Sequence, residues 1–345
     1  MKWIAKKNID TRIVEELLEE PLKTNQFTNG GINVLKLENF IKDKFRIDNN
    51  KSVIVVTNGS VALHSITKGI EYYEKKELQW ATQSFTFPPS AQGNLSNVKI
   101  IDIDNKGGLD LDKLDSSIHG IIVTNIFGNL VNIEKYESYC KKHNIFLLFD
   151  NAATCYSFYN GKNSLNYGNG CTISFHHTKP FGFGEGGAII VDKKYEENIR
   201  KLNNFGIGLT ENYYVREGNN NKMSEISAVY ILQYLRNNFE RIIQHHNTLY
   251  NYFKELVIKN NVSDYILFPN YFEHGVISCI CILYKNIEKS YKVLKKLQNN
   301  NIEARKYYIP LNHDKRSNEF YNKIICIPCN LDISLKDIDN IFKIV

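Results

Sequence analysis

Between Val53 and Val191 the chain alternates short β-branched, apolar runs with longer stretches in which apolar residues return every three or four positions. Seven runs can be counted: VIVVT (53–57), LQWAT (78–82), VKIIDI (98–103), GIIVT (120–124), IFLLF (145–149), CTISF (171–175) and GAIIV (187–191). Several are apolar throughout instead of alternating, which predicts strands covered on both faces. The stretches between them, such as NIEKYESYCKKHN (132–144), keep a helical period. Strands interleaved with helices in this way predict an α/β sheet covered by helices.

Past Val191 this pattern gives way to a long helical stretch, ISAVYILQYLRNNFERIIQHHNTLYNYFKELVIKN (226–260). Beyond it come an apolar run VISCICILY (276–284), a helical SYKVLKKLQNNN (290–301) and a closing run KIICIP (323–328). The chain therefore divides near residue 240. Residues 1–240 form a large domain with an N-terminal arm, and residues 241–345 a smaller α+β domain. A length of 345 residues suits two units, at about 150 residues each.

Composition narrows the class. Apolar residues at 43% and charged ones at 23% are enough for a buried core and too balanced for a disordered chain. No apolar run approaches the roughly 18 residues of a membrane span. The opening MKWIAKKNID has charges and no apolar stretch behind it, so neither signal peptide nor anchor is expected and the location expected is cytoplasmic. The net charge of +6 is scattered among acidic residues, a poor footprint for nucleic acid, though compatible with an anionic small ligand. Seven cysteines, an odd number, lie between Cys140 and Cys329 and read as reduced thiols. Cys279 and Cys281 share a strand face, and Cys326 and Cys329 flank a proline. A four-thiolate zinc site is conceivable at these spacings, but buried core cysteines are the preferred reading and no metal is expected.

Three places carry candidate chemistry. Lys179 sits in SFHHTKPFGFGEGGAIIV (174–191), in a loop between two strands that is too rich in glycine and aromatics for a solvated turn. A desolvated lysine loses proton affinity and becomes an amine nucleophile able to condense with an aldehyde; an ordinary surface lysine is the competing reading. Asp150 ends the strand IFLLFD at the carboxyl edge, where open α/β sheets bind ligands. It reads either as the anionic partner of a cationic ring or as the cap of a following helix NAATCYS. TNGS (57–60) passes from a strand into the helix SVALHSITKGI, so amides near Gly59 and Ser60 face outward from a helix start, a phosphate site by geometry. Phe85 and Phe87 in SFTFPP are either core residues or a platform for a flat ring.

Taken together, TNGSVAL, SFTF, IFGN, LLFDNAA, SFHHTKPFGFGEGG, GNNNKMSE and YYIPLN stand in the order and spacing of the DegT/DnrJ/EryC1/StrS family of sugar aminotransferases, which the chain resembles over nearly its whole length. The resemblance implies the aspartate aminotransferase-like fold-type I architecture, a seven-stranded mixed sheet with a smaller C-terminal α+β domain, and pyridoxal 5'-phosphate as cofactor. It implies that Lys179 is the Schiff-base lysine, Asp150 the partner of the pyridine nitrogen and Ser174 a phosphate-contacting serine. Gly59, Ser60 and Val61 then receive the phosphate, Phe87 stacks on the ring, and Asn220 reaches the phosphate from the other subunit of a homodimer. The implied substrates are a nucleotide-linked keto-deoxysugar and L-glutamate, with TNGG (28–31) resembling members that act on 4-keto-6-deoxy sugars. One departure is Ala153, where the family usually has Gln or His three residues after the aspartate. An alternative register puts Asn151 at the pyridine, with Thr154 as the polar residue, but a neutral Asn would not hold the ring nitrogen protonated. Family members that dehydrate a sugar carry histidine at the position of Lys179, so the resemblance favours amino transfer. A sugar dehydratase of the same fold and a non-catalytic sugar-nucleotide binding protein are the alternatives.

Overall fold

The computed structural model describes residues 1–208 and 214–345. Two helices come first, α1 (Thr11–Thr24) and α2 (Ile32–Lys44). A seven-stranded sheet follows, built from β1 (Lys51–Val56), β2 (Trp80–Gln83), β3 (Lys99–Ile101), β4 (Gly120–Thr124), β5 (Phe146–Asp150), β6 (Gly170–Ser174) and β7 (Gly187–Asp192). These are the seven runs anticipated, within two residues at each end. The spatial order is β1-β7-β6-β5-β4-β2-β3. All neighbours are parallel except β7, which runs antiparallel to both β1 and β6, making the sheet mixed.

Alternation explains why the strands are apolar on both sides. Val53, Val55, Ile121, Val123, Leu147 and Phe149 pack into one core, while Ile54, Val56, Ile122 and Leu148 pack into another on the opposite face. Helix α3 (Gly59–Glu74) covers the second face, and α4 (Ile133–His143) leads into β5. Each begins at an asparagine whose side chain accepts a backbone N–H of the first turn, Asn58 from Val61 and Asn132 from Lys135. The segment after Asp150 departs from expectation. NAATCYS forms turns instead of a helix, because the Asp150 carboxylate accepts the Ala152 N–H at 3.0 Å and Thr154 donates to the Asn125 carbonyl, which closes a local turn.

After α5 (Glu196–Asn203) the chain enters α6 (Glu225–Lys259), 35 residues long. Its residues as far as Ile242 belong to the first core, and from Leu249 onward to a separate core under the second sheet. That sheet is β8 (Tyr265–Leu267), β9 (Cys279–Tyr284) and β10 (Ile324–Pro328), in the order β8-β9-β10, with α7 (Ile287–Asn299), α8 (Lys315–Lys323) and α9 (Leu335–Phe342) around it. β9 divides by parity. Ile280 and Ile282 face the small core, whereas Cys279 and Cys281 join Cys326, Phe85 and Phe127 in an apolar cluster toward the large sheet. The helices α8 and α9 and the strand β8 were not anticipated; α9 carries a legible signal, a capping box between Ser334 and Asp337. Among the described residues no helix is long and apolar enough to cross a membrane.

Candidate active site

The carboxyl ends of β4, β5 and β6 open into a cavity of about 670 Å³. Asn58, Gly59, Ser60, Val61, Phe87, Asp150, Ser174 and Lys179 all line it, so of the residues the resemblance assigns to the cofactor all but Asn220 meet in one place.

Helix α3 forms one wall. Its cap removes the Val61 N–H from use, since Asn58 Oδ1 accepts it at 2.9 Å, and Ala62 N–H goes to the Asn58 carbonyl. The Gly59 and Ser60 amides stand at the open start of the helix, where the dipole favours an anion. Val61 therefore lines the cavity with its amide already bound to the cap. Gly59 has a packing reason as well: a Cβ there would come within 2.8 Å of the Ser174 Cβ. The two elements approach that closely because no side chain intervenes.

Asp150, at the end of the central strand β5, is buried. Desolvation pushes its carboxyl pKa up, opposed by the Ala152 N–H, the Lys179 ammonium and the Ser90 hydroxyl. Lys179 is in the opposite position: desolvation pushes its ammonium down, and Asp150 is the main group opposing that fall. Each ion weakly supports the other, and both remain under-compensated. A cationic ring nitrogen beside Asp150 would supply what the carboxylate lacks. Asn151 turns away from the cavity; its Oδ1 accepts the Asn125 Nδ2 at 2.6 Å and its Nδ2 lies buried without a partner. Ala153 lines the cavity, whereas Thr154 is spent between Asn125 and Gly128.

Phe87 is 53% exposed at the mouth and tilts toward Tyr308, ring centres 5.7 Å apart. Phe85 is fully buried in the core cluster. His176 faces the cavity and is held by the Thr178 hydroxyl at 2.8 Å; His177 instead accepts the Gly184 N–H and packs against Phe183.

The outer wall is only partly legible in the sequence: Tyr307 and Tyr308 fall in YYIPLN and Cys279 in VISCICILY, whereas nothing marks Trp3 or Arg305. It consists of Trp3, His64, Ser278, Cys279, Arg305, Tyr307 and Tyr308. Arg305 lies over the Trp3 ring at 4.8 Å and donates to the Tyr307 hydroxyl at 2.7 Å. Tyr308 stacks on Phe127, centres 4.9 Å apart. Trp3, Arg305, Tyr307 and Tyr308 come from the N-terminus and the small domain, in segments with no period to read, while His64 stands on α3 and Cys279 on β9.

Asn220 lies outside this cavity. It is exposed, its Oδ1 accepts the Lys222 Nζ at 2.8 Å, and the next residue, Asn221, takes the Thr57 N–H on its carbonyl. The loop thus runs beside the outer surface of the turn leading into α3. The thiols also differ from a four-ligand arrangement. Cys279, Cys281 and Cys326 have their Sγ atoms within 4.8 Å of one another, but Cys329 stands apart beside His246 Nδ1, at 3.5 Å.

The family model described as the DegT/DnrJ/EryC1/StrS aminotransferase family matches residues 8–345. The chain is 26% identical over 345 residues to dTDP-4-amino-4,6-dideoxy-D-glucose transaminase of Shigella dysenteriae, covering 92% of this chain and 90% of that protein. It is 25% identical over 376 residues to UDP-4-amino-4,6-dideoxy-N-acetyl-beta-L-altrosamine transaminase of Campylobacter jejuni, covering 98% and 96%. Among solved structures, Helicobacter pylori PseC, an aminotransferase involved in the biosynthesis of pseudoaminic acid, superposes with a TM-score of 0.84 at 20% identity, over 99% of this chain and 98% of that one.

Proposed function

Because the chain belongs to the DegT/DnrJ/EryC1/StrS aminotransferase family, whose members depend on pyridoxal phosphate, we propose that it moves the amino group of L-glutamate onto the keto carbon of a nucleotide-linked keto-deoxysugar, a 4-keto-6-deoxy sugar first, within amino-sugar synthesis for surface glycans. The observation that carries this reading is a single cavity in which a desolvated amine, Lys179, meets a buried carboxylate, Asp150, opposite the open start of α3. The names of the Shigella and Campylobacter relatives support the substrate class.

The residues present fit the cofactor. Lys179 supplies the amine that joins its aldehyde carbon, and burial keeps a share of that amine neutral and nucleophilic. Asp150 holds the proton on the ring nitrogen through an ion pair, which also relieves its own desolvation. The Gly59 and Ser60 amides, with the Ser174 hydroxyl, receive the phosphate, and Phe87 covers a ring face. When bound, pyridoxal phosphate supplies a conjugated ring that accepts the electron pair left on the amino acid's α-carbon. Lys179, once free of the cofactor, moves the proton between the substrate carbon and the cofactor as base and then acid.

Three further elements belong to the proposal. The chain divides near residue 240, supported by the change of core along α6 between Ile242 and Leu249. It works as a homodimer in which Asn220 completes the partner's phosphate site, supported by the exposed position of Asn220 outside its own cavity. Its location is cytoplasmic, in keeping with charged nucleotide-sugar substrates.

Incubation of the loaded protein with glutamate alone tests the reading. It should bleach the visible band of the lysine-bound cofactor and release 2-oxoglutarate, and added nucleotide keto-sugar should then yield the amino sugar. Ammonia released in step with sugar consumption, without an aminated product, would point to a dehydratase and overturn the proposal.

A further inference from the structure

The N-terminal segment crosses the molecule from the small domain to α6. At one end the Glu303 N–H donates to the Met1 carbonyl at 3.0 Å, and the Lys6 N–H to the Asp332 carboxylate at 2.7 Å. At the other end the Asp10 N–H donates to Gln233 Oε1 at 3.1 Å. Midway, the Lys7 Nζ turns inward. It donates to the backbone carbonyl of Lys179 at 2.7 Å and also to that of Gly182, and it lies 4.8 Å from the centre of the Tyr234 ring.

The turn it grips is short and closed, with the Gly182 N–H donating to the Lys179 carbonyl at 3.0 Å. The Tyr234 hydroxyl takes one of the two carbonyls between them, donating to Pro180 at 3.2 Å. Gly182 has no room for a side chain, since a Cβ would fall 2.1 Å from the His176 carbonyl oxygen. Side chains from two distant segments therefore fix three of the four carbonyls in this turn. The Lys7 end group is largely desolvated, which lowers its pKa to about 7.

We propose that Lys7 is a positioning residue for Lys179: its amine clamps the backbone of the Lys179–Gly182 turn and so sets the direction in which the Lys179 side chain enters the cavity. This rests on the reading of Lys179 as the residue that joins the cofactor. Attachment condenses the Lys179 amine with the cofactor's aldehyde, forms a carbon–nitrogen double bond and releases one water. The rate of that step depends on the approach geometry of the amine, whereas phosphate and ring contacts elsewhere in the cavity do not involve the turn.

A double-mutant cycle on the full chain tests this. Apoprotein is mixed with pyridoxal phosphate, and growth of the visible band reports covalent attachment. Lys7→Met should slow attachment about tenfold, the scale expected for a slightly misplaced reacting group. In the Lys179→Ala background, where only non-covalent binding remains, Lys7→Met should leave the affinity for pyridoxal phosphate unchanged. In cofactor-free protein the Gly182 amide should exchange hydrogen faster once Lys7 is replaced. An equal loss of affinity in both backgrounds would show a purely structural role and overturn the proposal, as would unchanged attachment. Should Lys7→Met not fold, Lys7→Gln, which keeps one donor, runs the same cycle with a smaller expected effect. If Lys179→Ala itself retained a covalent band, the assignment of Lys179 would fail, an outcome separate from failure of the clamp.

Discussion

The two ends of the cavity are built differently. At the inner end Asp150, Ser174 and the start of α3 sit on the last residues of neighbouring strands or the first turn of a helix, backed by cores on both faces of the sheet. Their positions are fixed by backbone pairing such as Thr124 with Asp150 and Asp150 with Thr172. At the outer end Trp3, Arg305, Tyr307 and Tyr308 come from irregular segments and hold one another through ring contacts and the Arg305 guanidinium. The first arrangement suits chemistry that must not move, and the second suits selection of a substrate whose sugar and nucleotide differ among relatives. Substitutions at the inner end should strike the reaction with glutamate, while those at the outer end should strike the affinity for the sugar nucleotide.

The largest effect is expected for Lys179→Ala, which removes both the attachment point and the proton carrier. Turnover should fall by about a thousandfold or more, and the visible band should vanish. Borohydride reduction and peptide mapping of the unmutated protein should place the cofactor on Lys179; a label on any other lysine would break the inner-end assignment.

Asp150→Asn comes next. Loss of one preorganised electrostatic contact should slow the glutamate half-reaction about a hundredfold in single-turnover kinetics, with the fold retained by circular dichroism. Asn151→Ala should have a much smaller effect on this step, since Asn151 faces Asn125 and not the cavity. The reverse ranking would shift the register by one residue.

At the outer end Arg305→Ala should raise the KM for the sugar nucleotide about tenfold, the range for one hydrogen bond to a charged group, and leave the glutamate half-reaction close to its original rate. A matching loss in the glutamate step would erase the distinction between the two ends.

The smallest signal, a partial recovery instead of a loss, concerns a part of the site outside both ends. Neither Lys179→Ala nor Asn220→Asp should be active alone, but mixing them with subunit exchange should restore about a quarter of the sites, because half the dimers are mixed and each has one intact site. No recovery after exchange verified by native mass spectrometry would mean that each chain completes its own phosphate site.

The same contrast accounts for what was legible in the sequence. The seven strands could be read because each is covered on both faces, and burial writes itself as an unbroken apolar run. Asp150 and Gly59 could be read because their chemistry follows from where a strand ends or a helix begins. Of the two readings of Asp150, the one that makes it the cap of a helix NAATCYS fails because the Ala152 N–H donates to its carboxylate and closes a local turn instead. Trp3 and Arg305 were invisible for a different reason. They are 302 positions apart, and nothing periodic announces a contact at that range. CICIL could be read as placing Cys279 and Cys281 on one face, yet only the pairing of Cys281 with Cys326 shows which thiols meet and which one is left out.

The reversed strand β7 has a consequence of its own. Ser174, at the end of β6, pairs directly with Gly187, at the start of β7, so the intervening segment that carries Lys179 leaves and rejoins the sheet at one edge. A parallel successor would have required a crossover to the far edge, drawing this segment out over a helix and away from the cavity. With its two ends already held together by strand pairing, the segment has little closure entropy left to lose. Changes of length within it would alter the reach of the lysine without disturbing the register of the sheet.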